Sequence, residues 1–145
     1  MATSDFEHPK QPVILGFDPG RQKCGLAVMG LDRVLYYHQV VSAEMAIATV
    51  QDLRKQFPIS IVVIGDQTSA NDWKERLTEN LTDSPSIVMV DERYTTLEAR
   101  DRYWDTHPPH GIDRLLPKSL RRIPRPIDDI VAILLIERYL GRLTN

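Results

Sequence analysis

The sequence predicts a single α/β domain built on a mixed five-stranded sheet with helices on both faces. Its 145 residues suit one domain with one core. Five apolar runs of strand length are present, and the turns between the first three are too short for a crossover, so these strands form an antiparallel meander. Helical periodicity precedes each of the last two runs, which favours two parallel strands connected through helices.

The five strands are predicted from short apolar runs that end in turn-forming residues. Pro19-Gly20 stops the first run, and Gly65-Asp66 ends the fourth. The fourth run is almost continuously apolar, as expected for a central strand that is covered on both faces. The predicted strands are residues 13–18, 24–29, 33–41, 59–64 and 87–90.

Four helices are predicted from periodicity and capping signals. The first carries an apolar residue at every third or fourth position. Thr95 and Glu98 have the spacing of a capping box, which predicts a helix start at Thr95. Gly141 follows the last apolar stripe and is predicted to end the final helix. The predicted helices are residues 42–57, 71–80, 95–104 and 127–140.

Two segments fall outside these elements. Residues 1–12 are polar and are interpreted as a flexible tail, so the folded domain is predicted to span residues 13–145. Residues 105–126 form a long proline-rich loop, and loops of this length are usually functional or mobile. From residue 114 onward this loop carries no acid and five cations: Arg114, Lys118, Arg121, Arg122 and Arg125.

Composition narrows the class of protein. The chain is 42% hydrophobic and 26% charged with a net charge of −2, as in an ordinary globular protein. Its one cysteine, Cys24, cannot form an internal disulfide, which fits a reducing compartment. The longest apolar run, residues 130–136, is far shorter than the roughly 20 residues of a membrane span. We therefore expect a cytoplasmic protein with no membrane partner.

Acidic side chains stand at the ends of the predicted core elements. Asp18 ends the first strand, Asp66 and Glu92 follow the fourth and fifth, and Asp128 opens the last helix beside Asp129. The carboxyl ends of parallel strands share one edge of a sheet, where α/β proteins bind ligands. Asp18, Glu92 and Asp128 are therefore candidate acids of a site at this edge. Asp66 and Asp129 are further candidate metal ligands.

A cluster of carboxylates at one edge points to a metal site. Carboxylates repel one another unless a cation lies between them. A site made only of Asp and Glu favours Mg²⁺ or Mn²⁺ over Zn²⁺, and such ions activate water for phosphodiester cleavage. Each acid taken singly also fits a commoner use as a turn residue or helix cap. Their coincidence at one predicted edge favours the metal site.

Cations flank the acids and fill the long loop. Lys23 and Arg93 neighbour acidic positions in sequence, where they fit either a scissile phosphate or the charge balance of the carboxylates. The five loop cations fit the phosphate backbone of a nucleic acid, although charges on a solvated loop are commoner. The loop histidines, His107 and His110, fit a role in proton transfer or product release, although exposed histidines without a role are commoner in such loops.

Three segments resemble one known family. Residues 14–27 (ILGFDPGRQKCGLA) look like the opening motif of the YqgF-type proteins, which are Holliday-junction-resolvase-like nucleases linked to the maturation of pre-16S ribosomal RNA. Residues 91–96 (DERYTT), followed by Ala99, resemble the second motif and are the most specific part. Residues 128–140 resemble the closing helix, so the resemblance extends from Val13 to Leu140.

The resemblance implies an RNase H-like fold and a Mg²⁺- or Mn²⁺-dependent nuclease with catalytic acids at Asp18, Glu92 and Asp128. The sequence departs from the family pattern in three places. Residues 65–67 (GDQ) stand where the fourth strand usually ends in Gly-Leu-Pro, and residues 29–30 (MG) stand where Asp is frequent. The loop before the last helix is also longer than expected. These departures indicate a distinct branch with its own substrate preference.

Three functions remain open from the sequence. The first is cleavage of structured RNA, by resemblance at the 5′ end of pre-16S rRNA. The second is resolution of branched DNA, for which a homodimer is expected because a four-way junction has two-fold symmetry. The third is a non-catalytic RNA-binding role in ribosome assembly or transcription. An actin-like ATPase, suggested by the glycine spacing after Asp18, needs two domains, and the chain is too short for both.

Overall fold

The computed structural model describes residues 9–67, 69–83 and 85–143. Most of the predicted tail, residues 1–8, lies outside the described residues. Within the described part of the chain the sheet has the five strands that were predicted, with boundaries within two residues of the expected ones. They are β1 Val13–Asp18, β2 Lys23–Gly30, β3 Leu35–Ser42, β4 Ile59–Gly65 and β5 Ser86–Val90.

The helices also follow the predicted order. Over the described residues they are α1 Ala46–Gln56, α2 Ala70–Asn80, α3 Thr95–Thr106 and α4 Asp128–Leu143. None of the described helices is long and apolar enough to cross a membrane.

The strands form one sheet in the order β3-β2-β1-β4-β5. The first three pair antiparallel and make the predicted meander. β1, β4 and β5 run parallel, with Gly16 opposite Val63 and Val63 opposite Val88. The predicted fold class is therefore confirmed, and the carboxyl ends of β1, β4 and β5 lie at one edge.

The sheet separates two apolar layers. On one face, Leu15, Phe17 and Leu26 belong to the same cluster as Val50 of α1 and Leu77 of α2. On the other face, α3 and α4 pack on a second cluster that includes Ile14, Ala27 and Val63. All residues of the central strand β1 are buried, whereas none of the edge strand β3 is, because only β1 is covered by neighbours and helices on every side.

The predicted capping box at Thr95 is wrong, although α3 does begin there. No side chain caps this helix, and the preceding residue, Tyr94, has a left-handed φ of 64°. The hydroxyl of Thr95 donates to the carbonyl of Glu92 at 2.7 Å. Glu98 instead pairs with Arg138 of α4 at 2.5 Å. A tight turn after Glu92 thus starts the helix in place of the expected cap.

Two other helix boundaries differ from expectation. Ser42 does not open α1. Its hydroxyl accepts from the N–H of Met45 at 3.3 Å and caps a short 3-10 helix at Ala43–Met45. Gly141 does not end α4, which continues to Leu143. The guanidinium of Arg142 donates to the carbonyl of Met89 in β5 at 3.3 Å, and this contact helps hold the last turn against the sheet.

The region predicted as a loop at residues 105–126 is partly regular. Helix α3 extends into it as far as Thr106, and two 3-10 helices follow at Gly111–Leu115 and Lys118–Leu120. Proline residues keep these helices short because each proline lacks a backbone donor. We call residues 107–126 the basic segment.

Candidate active site

Four acidic residues lie at the carboxyl ends of the parallel strands and at the start of α4. Asp18 is the last residue of β1, and Asp66 directly follows β4. Glu92 lies two residues beyond the end of β5, and Asp128 is the first residue of α4. We call this set the acidic edge. The parallel order of β1, β4 and β5 places the first three of these acids there.

Asp18 is the most buried member of the acidic edge, with 7% of its surface exposed. Burial, and then the negative charges of Asp128 and Glu92, raise the pKa of Asp18 from 3.8 to about 8. None of the described cations contributes an offsetting effect. Acids from three distant parts of the sequence therefore share one electrostatic environment.

Glu92 is held by the residues that follow β4. Its Oε2 atom accepts a hydrogen bond from the Gln67 amide at 2.8 Å, and its backbone N–H donates to Asp66 Oδ1 at 3.3 Å. Its Oε1 atom is buried and has no hydrogen-bond partner among the described residues. Burial, and then the charge of Asp66, raise the pKa of Glu92 from 4.5 to about 7.

Glycine at position 65 makes room for this carboxylate. A Cβ atom added at Gly65 would lie 2.5 Å from Glu92 Oε2, closer than real Cβ contacts. The end of β4 therefore lets Glu92 fold back over the strand. Any larger residue at this position would push the carboxylate away.

Asp128 is partly buried at the first turn of α4. Burial, followed by the charge of Asp129, raises its pKa, and the ammonium group of Lys23 lowers it. Lys23 therefore lies within electrostatic range of the acidic edge. A Cβ atom at Gly25 would collide with the backbone carbonyl of Asp128, so α4 starts in close contact with β2.

Asp129 lies in a different environment from its neighbour. Its side chain is only 4% exposed, and Oδ2 lies 2.7 Å from His38 Nδ1 of β3. Its Oδ1 atom accepts from the Arg125 guanidinium at 3.0 Å. Burial raises the pKa of Asp129, but the hydrogen bonds from His38 and Arg125 outweigh it, so the net shift is downward. Both oxygens are engaged with cationic or donor groups, whereas no described residue donates a hydrogen bond to the Asp128 carboxylate.

The acidic edge offers the oxygen ligands that a hard divalent cation prefers, but its carboxylates are too far apart to bind one as they stand. All candidate ligands are carboxylate oxygens, and Glu92 Oε1 is buried without a partner. In the part of the chain that the structure describes, no three His, Cys, Asp or Glu side chains stand close enough together to hold a metal ion as they are. A bound cation would offset the repulsion between such carboxylates and could draw them together.

Several predicted phosphate-binding cations are engaged within the protein. The Lys118 ammonium pairs with Asp105 at 2.9 Å. Arg125 pairs with Asp129 and also donates to the carbonyl of Pro126. Arg121 donates to the carbonyl of Leu116, and its guanidinium carbon lies 5.5 Å from the Trp104 ring centroid. These contacts fix the basic segment to the protein.

The remaining cations that were predicted to bind phosphate have weaker ion pairs within the protein, or none with the described residues. Arg93 is 74% exposed and lies 3.5 Å from Asp91, which is a loose surface pair. Arg114 and Arg122 make no ion pair with any described residue, so they are the loop cations best able to meet a phosphate.

Sequence reasoning missed two residues that contact the acids. The Gln67 amide binds Glu92, and its only signal was the departure from the Gly-Leu-Pro pattern. His38 binds Asp129 from a strand that is distant in the sequence. A histidine within an apolar strand gave no indication of this partner, because the pairing depends on how α4 crosses the sheet.

The comparisons with known proteins support the fold. No protein-family model matches the chain, and no curated protein matches it. Among solved structures, RuvC from T. thermophilus in complex with a Holliday junction substrate is 17% identical, with a TM-score of 0.57 over 92% of this chain and 96% of that chain. A Thermus thermophilus RuvC structure is 15% identical, with a TM-score of 0.53 over 90% and 96%. The chain has the RNase H-like α/β fold that RuvC shares.

Proposed function

We propose that this protein is a metal-dependent nuclease that hydrolyses phosphodiester bonds in branched or structured nucleic acid. The observation that carries the proposal is the electrostatic coupling of Asp18, Glu92 and Asp128 at the acidic edge. Such uncompensated carboxylates cost folding free energy, and strongly raised pKa values of this kind concentrate at functional sites. A bound cation would remove that cost.

Asp18, Glu92 and Asp128 would hold Mg²⁺ or Mn²⁺, with Asp66 as a further candidate ligand through its unbonded oxygen. When bound, the cation would supply a more acidic water and charge stabilisation for the leaving oxygen. The protein's own residues supply the remainder. Lys23 places a positive charge beside Asp128, where it would contact a phosphate oxygen. Gln67 holds one Glu92 oxygen and leaves the other free.

Branched DNA is the substrate that the structural comparison favours. A protein of the same fold, T. thermophilus RuvC, was solved with a Holliday junction substrate. If this chain also cuts four-way junctions, it should act as a homodimer, since the junction has two equivalent cleavage positions.

Structured RNA is the substrate that the motif resemblance favours. The DERYTT string at residues 91–96 resembles the YqgF-type proteins, and by that resemblance the substrate would be the 5′ end of pre-16S rRNA. The departure at Asp66 and Gln67 changes a residue pair that contacts Glu92 directly.

Cleavage of labelled substrates tests the proposal. The panel is a four-way DNA junction, a linear DNA duplex of matching sequence, and an RNA that spans the 5′ end of 16S rRNA, each with Mg²⁺, Mn²⁺ or EDTA. Wild type should cut at least one structured substrate with metal and none with EDTA. Asp18→Asn should lower the rate on the order of 100- to 1,000-fold, the scale expected when one preorganised catalytic group is removed.

The matched control is Asp52→Asn, which removes an exposed carboxylate of α1. It should leave the rate unchanged. Cleavage that persists in EDTA would reject the metal mechanism. Tight RNA binding without cleavage, equally strong in wild type and Asp18→Asn, would instead support the non-catalytic role.

A further inference from the structure

Two adjacent acids open α4, and the structure gives them different partners. Asp128 couples to Asp18 at the acidic edge, whereas Asp129 contacts His38 and Arg125. Helix periodicity does not distinguish the two, since both are aspartates in the first turn of one helix. The choice between them must come from the tertiary contacts.

Each carboxylate oxygen of Asp129 has its own hydrogen-bond partner. The ionised carboxylate can only accept, so His38 donates from Nδ1 at 2.7 Å, and Arg125 donates at 3.0 Å to the other oxygen. The Asp129 side chain is 4% exposed, whereas those of His38 and Arg125 are 44% and 38% exposed. A buried carboxylate with two charged-group hydrogen bonds is costly to disturb.

Because the two residues are consecutive in a helix, the contacts that fix Asp129 also fix the orientation of Asp128. Consecutive residues of an α-helix point about 100° apart around its axis. Fixing Asp129 toward β3, at one end of the sheet, therefore turns Asp128 away from β3. The sheet order β3-β2-β1 places Asp18 on that inner side. The contact between the Asp128 carbonyl and Gly25 of β2 sets the height of the helix above the sheet.

We propose that His38 and Arg125 are positioning residues: by holding Asp129 toward β3, they orient the first turn of α4 so that Asp128 faces Asp18. The inference rests on the proposed function only where it treats Asp128 as a metal ligand. It also assigns Arg125 to the ion pair with Asp129 in place of the phosphate contact predicted from sequence.

Two measurements test this role, and one of them needs no metal. The first is hydrogen exchange of the amides of residues 129–132 in metal-free protein. The second is Mg²⁺ affinity measured by titration calorimetry. His38→Val removes the donor and suits a strand. It should speed exchange of these amides and lower Mg²⁺ affinity about tenfold, the lower end of the range for residues that orient metal ligands.

His38→Asn is the rescue variant, since its amide places a donor close to the position of Nδ1. It should restore exchange and affinity to near wild-type values. Arg125→Gln removes the second contact from the other side and should move both readouts in the direction of His38→Val. It keeps the inference testable if His38→Val does not fold.

The matched control is Glu137→Gln, which breaks an ion pair with Arg102 farther along the same helix. It should lower stability but leave both exchange at residues 129–132 and Mg²⁺ affinity unchanged. The inference is overturned if His38→Val is folded and matches wild type in both measurements, or if Glu137→Gln changes them equally. Absence of Mg²⁺ binding by wild type would instead reject the proposed function, and the exchange measurement would still decide the positioning role.

Discussion

Charged side chains are arranged in opposite ways at the acidic edge and at the interface between α3 and α4. At the interface, Arg102 makes two hydrogen bonds to Glu137 at 2.8 and 2.9 Å, and Arg138 pairs with Glu98. The hydrogen bonds that Arg102 donates to Glu137 are the main cause of its raised pKa. Each carboxylate at this interface has its own guanidinium group.

At the acidic edge, by contrast, the carboxylates lie within electrostatic range of one another. Asp18 and Glu92 have pKa values raised to about 8 and about 7, mainly by burial and then by neighbouring negative charges. The same fold thus pairs charges where helices pack and leaves them unpaired where strands end. Paired charges stabilise the fold, whereas unpaired buried charges destabilise it and indicate a site that a ligand completes.

The largest expected effect is an opposite change in stability when one acid is neutralised in each region. In metal-free protein at pH 8, Asp18→Asn should raise the free energy of unfolding by roughly 2 to 4 kcal/mol, because it removes an unpaired buried charge. Glu137→Gln should lower it by about 1 kcal/mol, since that pair is partly exposed. Urea denaturation with EDTA measures both. Destabilisation by Asp18→Asn would show that the acidic edge is compensated after all.

The pH dependence of stability sharpens the same contrast. The pKa of Asp18 is 3.8 when unfolded and about 8 when folded, so the folded state binds more protons between these values. Stability of the metal-free protein should therefore fall as pH rises from 4 to 8, by roughly 4 kcal/mol from Asp18 alone. Saturating Mg²⁺ should reverse the fall at pH 8 because it binds the ionised form. A flat profile without metal would contradict the shift.

A smaller effect is expected from Gln67, which supports one acid of the edge. Gln67→Leu removes the donor to Glu92 Oε2 and should lower Mg²⁺ affinity about tenfold, as for other residues that orient ligands. Gln51→Leu is the matched control, because the Gln51 amide donates at 2.9 Å to the carbonyl of Asn80 instead. Titration calorimetry compares the two. Equal losses in both variants would mean that Gln67 has no specific role.

The smallest effect concerns the basic segment, where paired and unpaired cations can also be compared. Arg114→Ala and Arg122→Ala should each reduce the slope of log affinity against log salt by about 1 if these residues contact phosphates. Lys118→Ala should leave the slope unchanged, since its ammonium pairs with Asp105. Salt titration with a fluorescent junction or RNA measures these slopes. A reduced slope for Lys118→Ala would show that its ion pair opens on binding.

Local periodicity accounts for what could be predicted. The five strands and the order of the helices follow from apolar patterns that each span fewer than twenty residues. The position of Asp18 at the end of β1 and of Asp128 at the start of α4 follows from the same patterns. The capping box at Thr95 failed because a left-handed residue, Tyr94, made the turn instead. A local signal was outweighed there by the geometry of the turn after Glu92.

The sequence by itself determined the fold class and put carboxylates at the ends of strands that had to be parallel neighbours. The tertiary structure decided which of two adjacent aspartates faces that edge, which cations are free, and that Gln67 and His38 hold the acids. These outcomes depend on contacts between side chains far apart in the chain, such as His38 with Asp129. Such contacts arise only when α4 packs across the sheet, so no periodicity in the sequence predicts them.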